Sequence, residues 1–331
     1  MTGARTDRIG AVLIGRNEGE RLRRCLESVT GSAGALVYVD SGSTDGSVEM
    51  ARAAGADVVA LDMDRPFTAA RARNEGFRRL AELCPGAEYV QFVDGDCEIA
   101  AGWIERASAE LDEQPGVAAV CGRRRERFPG RSIYNRLCDI EWDTRVGEAE
   151  SCGGDVLMRA AAFREAGGYH PGLIAGEEPE LCFRLRGLGW KILRIDGEMT
   201  LHDAAMTRFG QWWKRTLRAG HAYAENAWNH GTGPERFKRR EVRSNLAWGL
   251  AFPAGIAGCA AFVPWVLLGL AVYPLQAGRI AMRKKRDGLP VAQAVLYGVF
   301  CMLGKFPLAL GFIKFHKDRL LRKTSVLIEY K

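Results

Sequence analysis

Three short acidic segments hold most of the chemistry open to this chain. Val-Tyr-Val-Asp at 37–40, Gln-Phe-Val-Asp-Gly-Asp at 91–96 and Gly-Glu-Glu-Pro-Glu at 176–180 each place carboxylates after, or facing, a short apolar run. In an open parallel sheet such strand ends share one edge, where these sheets bind ligands. Carboxylates gathered there repel one another unless a cation, a protonated partner or a hydrogen-bonding ligand compensates. Two roles suit them: holding a divalent cation and accepting a proton from an attacking group. Of five histidines, His202 is the best placed to join them, in Met-Thr-Leu-His-Asp after an apolar strand at Lys191–Ile195. Arg71, Arg73 and Asn74 lie early on a helix. A planar guanidinium there suits paired bonds to phosphate.

The elements that must position these groups follow from apolar periodicity. Strand-like runs at Ile9–Ile14, Leu36–Val39, Val58–Leu61, Tyr89–Val93 and Val117–Cys121 alternate with helical stretches. Helices are expected over Glu18–Val29, with Leu22, Cys25, Leu26 and Val29 on one face, over Asp45–Ala54 capped by Ser43 and Thr44, and over Phe67–Leu83 and Trp103–Leu111. The βαβ alternation in the first ~120 residues calls for an α/β fold with a mostly parallel, doubly wound sheet.

Charge divides the chain. Residues 1–205 hold 26 Lys+Arg against 34 Asp+Glu, net −8, and residues 206–331 hold 21 against 6, net +15. The positive charge flanks hydrophobic runs, which argues against a nucleic-acid partner and for an anionic membrane surface. Nine scattered cysteines without a Cys-x-x-Cys pair suggest reduced thiols in a cytosolic setting. The polar start, residues 1–8, leads into the first strand without the apolar stretch of a secretory signal.

Five segments in order, Ile-Gly-Arg-Asn-Glu at 14–18, Val-Asp-Ser-Gly-Ser-Thr-Asp-Gly-Ser at 39–47, Ala-Arg-Asn-Glu-Gly at 72–76, Asp-Gly-Asp at 94–96 and Glu-Glu-Pro-Glu-Leu at 177–181, resemble family 2 glycosyltransferases over roughly residues 8–225. The resemblance implies a Rossmann-like GT-A domain at 1–225, with a nucleotide half at about 8–122 and an acceptor half at about 123–225. It implies a nucleotide-diphosphate sugar donor and Mg²⁺ or Mn²⁺. Asp40 would meet the nucleobase, with Arg16 and Glu18 lining the same pocket. Arg73, Asn74 and Asp94 would face the rest of the nucleotide, and Asp96 the metal, with His202 completing its shell. Gly153, Gly154 and Asp155 fit an acceptor-side loop before an expected helix, where small residues let a sugar approach, and Glu177 would lie beside it. The family usually shows Glu-Asp with Asp as base, and Glu178 stands at that position. Ser41 replaces a frequent second Asp. Glu180 and Arg184 are spaced for an i, i+4 ion pair.

Behind this domain, residues 226–331 form a basic, hydrophobic region expected to be helical and membrane-associated. Ser244 to Gly278 carries no charged residue, longer than the roughly 20 apolar residues that span a bilayer. Basic clusters at 238–240 and 283–286, and beyond the second apolar run Leu289–Ile313, favour re-entrant or interfacial hairpins over two full spans, since these keep every basic loop on the cytosolic side. Phe209–Asn229, with Trp212, Trp213, Tyr223 and Trp228 among Arg215, Arg218 and His221, suits a membrane interface over the acceptor site or plain half-buried packing. Gln211-Trp212-Trp213-Lys214-Arg215 does not match the Gln-x-x-Arg-Trp of processive family members. The expected activity is transfer of one sugar to a hydroxyl of a lipid-linked or envelope glycan acceptor at the cytosolic membrane face. The alternatives are transfer to polyprenyl phosphate, a sugar nucleotidyltransferase, and a silent membrane scaffold.

Overall fold

The computed structural model describes residues 7–323 and Ile328. The stretch 1–6, part of the polar start noted above, lies outside them. Contacts divide the chain into two units, Met1–Phe128 with Glu141–Ala204, and Pro129–Ile140 with Ala205–Lys331.

In the first unit β1 (Ile9–Gly15), β2 (Ala35–Asp40), β3 (Asp57–Ala60) and β4 (Tyr89–Asp94) alternate with α1 (Glu20–Val29), α2 (Ser47–Ala53) and α3 (Ala69–Leu83). These strands pair in parallel in the order β3-β2-β1-β4. Leu22, Cys25, Leu26 and Val29 of α1 are buried as their spacing requires. Helix α3 is capped by Thr68, whose hydroxyl accepts from the Arg71 amide. It packs closely because Gly76 faces the sheet: a Cβ there would lie 2.3 Å from Val12 Cγ1. The cap expected for α2 is different. Asp45, not Ser43 or Thr44, accepts from the Ser47 amide and hydroxyl, while Ser43 and Thr44 bond to Asn17.

Beyond β4 the sheet becomes mixed. β5 (Cys97–Ile99), α4 (Trp103–Glu113), β6 (Val117–Glu126) and α5 (Ile133–Glu141) are followed by β7 (Gly147–Glu148), β8 (Val156–Arg159), α6 (Ala160–Glu165), α7 (Glu177–Gly187) and β9 (Lys191–His202). β8 is antiparallel to β4 and β6. β9 runs parallel to β6 and antiparallel to β5 and β7. Gly153-Gly154-Asp155 therefore leads into strand β8, where a helix was expected. Three consecutive apolar residues passing through the sheet centre, Val156, Leu157 and Met158, have no exposure and favour a buried strand that ends at Arg159.

The second unit is helical. Most of α5 joins α8 (Phe209–His230), α9 (Arg239–Leu246), a π-helical segment Ala247–Ala251, α10 (Phe252–Ala260), a 3-10 segment Pro264–Ala271, α11 (Val272–Arg286), α12 (Val291–Leu303) and α13 (Lys305–Leu320). The domain boundary expected at 225 falls inside α8. Small residues let α8 and α13 approach: a Cβ on Gly220 would lie 2.2 Å from the Leu308 carbonyl oxygen. The uncharged run 244–278 doubles back at 261–263. Its two arms meet where the Tyr273 hydroxyl donates to the Trp248 carbonyl and their rings lie 5.7 Å apart. At the tip Phe262 is 87% and Trp265 77% exposed. Pro264–Arg286 and Val291–Leu320 are each long and apolar enough to cross a membrane. Within α8, Trp212 is buried against Phe300, and Trp228 is exposed.

Candidate active site

Sheet register assembles the site. Gly15 lies beside Asp40 and Ile14 beside Asp94, so the ends of β1, β2 and β4 form one edge. The Gly95 amide turns back to the Ile14 carbonyl at 2.8 Å. On the far side, β9 brings His202 between Glu126 of β6 and Cys97 of β5, next to Asp96. A strand flanked on both sides thus carries one imidazole to the acidic edge.

Arg73 is the centre of the acidic edge. It is 2% exposed, donating to Asp94 at 2.7 Å and to Glu177 at 2.9 Å, with Glu178 at 3.5 Å. Arg124 binds the other Asp94 oxygen at 3.1 Å. Burial alone would raise the Asp94 pKa, but these two guanidinium groups hold it well below the usual carboxylate range. Glu178 opens α7 after Gly176, and its side chain keeps 19% exposure. Burial, with the Glu177 charge beside it, pushes its carboxyl up to about 7. The helix N-terminus favours the acidic cluster, and Glu180 pairs with Arg184 at 2.7 Å.

Gly154 lies at the meeting point of these groups. A Cβ there would sit 2.3 Å from Arg73 Nη2, 3.0 Å from Asp94 Oδ2 and 3.1 Å from Glu178 Oε1, whereas one on Gly153 meets nothing within 4 Å. Asp155 has no exposure, and both its oxygens are engaged. One accepts from the Asp94 amide at 3.0 Å, the other from Arg124 and from Thr200 at 2.9 Å. It fixes Asp94 from behind.

Asp96 and His202 meet with Oδ2 and Nε2 3.4 Å apart, and Glu126 stands 3.9 Å behind Nδ1. Trp142 contacts the imidazole edge-on at 4.7 Å. Burial lowers the His202 pKa against the opposing pull of Glu126, so the ring is neutral and its lone pair can bind a metal. Cys97 lies within reach of the same point, but burial and the Asp155 charge push its thiol well above the ordinary value, withholding the thiolate that soft metals prefer. What remains is hard oxygen with one imidazole, a set that fits Mg²⁺ or Mn²⁺.

Other expected residues are placed differently. Asp40 accepts from the Gly42 and Ser43 amides at 3.0 and 2.9 Å and from the Tyr38 hydroxyl at 3.2 Å, so it shapes the turn after β2. Both amide atoms of Asn74 are taken up by the Tyr169 backbone. Asn74 therefore ties α3 to the 169 loop. Arg71 holds the carbonyls of Asp62 and Arg65. Glu18 pairs with Arg21 at 2.7 Å, and Arg16 stands exposed at the end of β1. The amides of Asn17 and Gly19 are occupied by Ser43 and Asp45. The loop after β1 is therefore no phosphate cradle of the kind a nucleotidyltransferase needs. Arg124, Glu126 and Asp155 were not foreseen as supports. Alternation along the end of β6, with charges at 124 and 126 on one face, is the signal that marks the first two.

With this geometry in hand, residues 11–160 match the family described as Glycosyl transferase family 2. Residues 11–160 thus carry the domain of this family. Among its relatives, the pre-mycofactocin glycosyltransferase of Mycobacterium tuberculosis is 26% identical over 91% of this chain, which spans 66% of that relative's length. The succinoglycan biosynthesis protein ExoA of Rhizobium meliloti is 24% identical over 87% of this chain and 84% of its own. The mannosyltransferase PcManGT of Pyrobaculum calidifontis, solved with GDP-Man and Mn²⁺, superposes with a TM-score of 0.63 at 20% identity, covering 94% of this chain and 88% of that one. That likeness is one of fold, and it matches the mixed α/β sheet described above.

Proposed function

We propose that the chain is an inverting glycosyltransferase that uses a nucleotide-diphosphate sugar and a divalent cation. The observation that carries this reading is the convergence of Glu178, Arg73 and Asp94 on Gly154, beside the Asp96–His202 pair. Glu178 would accept the proton of an acceptor hydroxyl as its oxygen attacks the anomeric carbon. The bond from that carbon to the diphosphate breaks, and the nucleoside diphosphate leaves with the bonding electrons. A carboxyl poised near pH 7 suits this work. Asp96 and His202 would hold Mg²⁺ or Mn²⁺, which neutralises charge on the diphosphate. Arg73 would keep Asp94 ionised and Glu178 oriented, while Asp155 and Arg124 fix Asp94. Glu177, pinned by Arg73, would border the sugar. Asp40, Arg16 and Glu18 would border the nucleobase, with Asp40 acting through the turn it organises.

The acceptor would be a lipid-linked or envelope glycan hydroxyl at the cytosolic membrane face. The fold-back of 244–278 supports a re-entrant hairpin, since its arms return to one level and its tip exposes Phe262 and Trp265. Transfer to polyprenyl phosphate is the competing reading, and Glu178→Gln separates them because an ionised acceptor needs no base. The primary test is binding of UDP, GDP, ADP and CMP and their sugar conjugates to detergent-purified protein, with and without Mn²⁺. Metal-dependent binding of one nucleotide, lost in Asp96→Ala, is the expected result. Folded protein that binds none would sink the proposal.

A further inference from the structure

We infer that a groove in the second unit binds an anionic membrane phospholipid, its phosphate held by Arg239 and Arg243 and one chain laid toward Leu246 and Phe312. The inference rests on the membrane reading above, and it adds a lipid site separate from sugar transfer.

The groove is a cavity of about 410 Å³ walled by α8, α9 and α13, within the range of about 300–1,000 Å³ that small-molecule sites occupy. Its polarity is graded by helix register. Gly231, at the end of α8, abuts Arg239, at the start of α9, and the Trp228 ring meets His316 of α13 at 5.9 Å. From this basic end the lining passes along α9 from Arg239 through Arg243 to Leu246, back along α8 to Ala224, and along α13 from His316 to Phe312. Seven residues of helix cover about 10 Å, so cations stand at one end and hydrocarbon at the other. The apolar end lies where the uncharged run beginning at Ser244 starts.

Charge points to the occupant. None of the described residues lining the groove is acidic. Of the nearby carboxylates, Glu241 pairs with Lys238 at 3.5 Å and Asp318 with Lys314 at 2.6 Å, and burial pushes the Glu225 carboxyl, beside Ala224, up to about 7. Arg319 lies 4.0 Å over the Trp228 ring, fixing an amphipathic indole at the mouth. Two exposed arginines one helical turn apart, joined to an apolar trough about 10 Å long, complement a phosphate with a hydrocarbon chain. A soluble phosphate would leave the trough wet, and a neutral lipid would leave the arginines without a partner.

The test uses the full chain in two steps. Flotation with vesicles of phosphatidylcholine alone or mixed with phosphatidylglycerol reads membrane association. Photo-crosslinking with diazirine-tailed phosphatidylglycerol in nanodiscs reads the groove. The expected labels fall on 224–232, 242–246 and 312–316. Arg239→Gln with Arg243→Gln should reduce labelling by about thirty-fold, the loss expected for two basic side chains near an anionic surface. Ala227→Trp and Val242→Phe, two charge-neutral plugs of which either suffices if it folds, should reduce it comparably, and Lys284→Gln with Lys285→Gln should not. Equal labelling by diazirine-tailed phosphatidylcholine, or labelling that survives both plugs in folded protein, would overturn the site while leaving membrane association intact. Failure to float at every composition would overturn both.

Discussion

Gly154→Ala is the sharpest perturbation of the site, because the structure supplies its own control one residue away. The added methyl group would lie 2.3 Å from Arg73 Nη2, and Arg73 cannot retreat: it is 2% exposed and held between Asp94 and Glu177. Overpacking of this kind costs about 1–3 kcal/mol, and disrupting a hydrogen bond between charged groups about 1.5–3 kcal/mol. A destabilisation of roughly 3 kcal/mol is expected, which for a unit of this size lowers Tm by about 6–12 °C. The methyl group also displaces Glu178 and Asp94, and misplacement by about 1 Å costs on the order of 10²-fold in rate. Gly153→Ala meets nothing within 4 Å and should stay within about 0.5 kcal/mol of wild type. Thermal melting and steady-state transfer rates of the two variants, prepared side by side, check the contrast. Equal melting temperatures and equal rates would refute the claim that Arg73, Asp94 and Glu178 converge on this backbone position.

Because the Glu178 carboxyl is pushed up to about 7, it is protonated and unable to act as base below that pH. The transfer rate should rise with pH and level off above about 7, and Glu178→Gln should lower kcat by about 10²–10⁴-fold and abolish that limb; pH–rate profiles of both proteins decide it. Glu126→Gln, which removes the carboxylate behind His202, should weaken Mn²⁺ binding by about 10–100-fold, measured by titration calorimetry without substrate. Asp155→Asn leaves the buried Arg124 short of its partner and should cost about 3–5 kcal/mol, seen as a lower Tm even without donor or metal.

The parallel half of the fold is legible in the residues because its strands are short apolar runs, three of them closing on Gly15, Asp40 and Asp94, and each helix is a 3.6-period stretch. Glu180–Arg184 is equally legible, since helix spacing alone sets that pair. What the spacing could not show depends on pairing between distant strands. Gly153-Gly154-Asp155 looks like a loop before a helix until β8 is seen inserted antiparallel between β4 and β6. Then Asp155 becomes the buried support of Asp94, and Gly154 is small for the sake of a guanidinium. Asp40 and Asn74 show another side of this. Their side chain types suit a ligand, and in the fold Asp40 also accepts from the backbone amides of its own turn while Asn74 bonds to the Tyr169 backbone. Arg124 and Glu126 escape notice because a run of three arginines reads as surface, although a register shift between Arg123 and Arg124 turns both of them inward and leaves only Arg125 exposed.

The partners of Arg73 are far apart in the chain, Asp94 by 21 residues and Glu177 by 104. During synthesis at about 5–20 residues per second, Arg73 and Asp94 emerge together, but Glu177 follows only about 5–20 s later. Over that interval the β1–β4 half can close around a guanidinium with one carboxylate in place, and helix α7 must then dock onto a charge already withdrawn from water. Completion of the site around Arg73 is thus tied to arrival of the segment bearing Glu178. A nascent chain stalled before residue 177 would present a sheet edge with its central cation only half compensated, a species that invites chaperone capture.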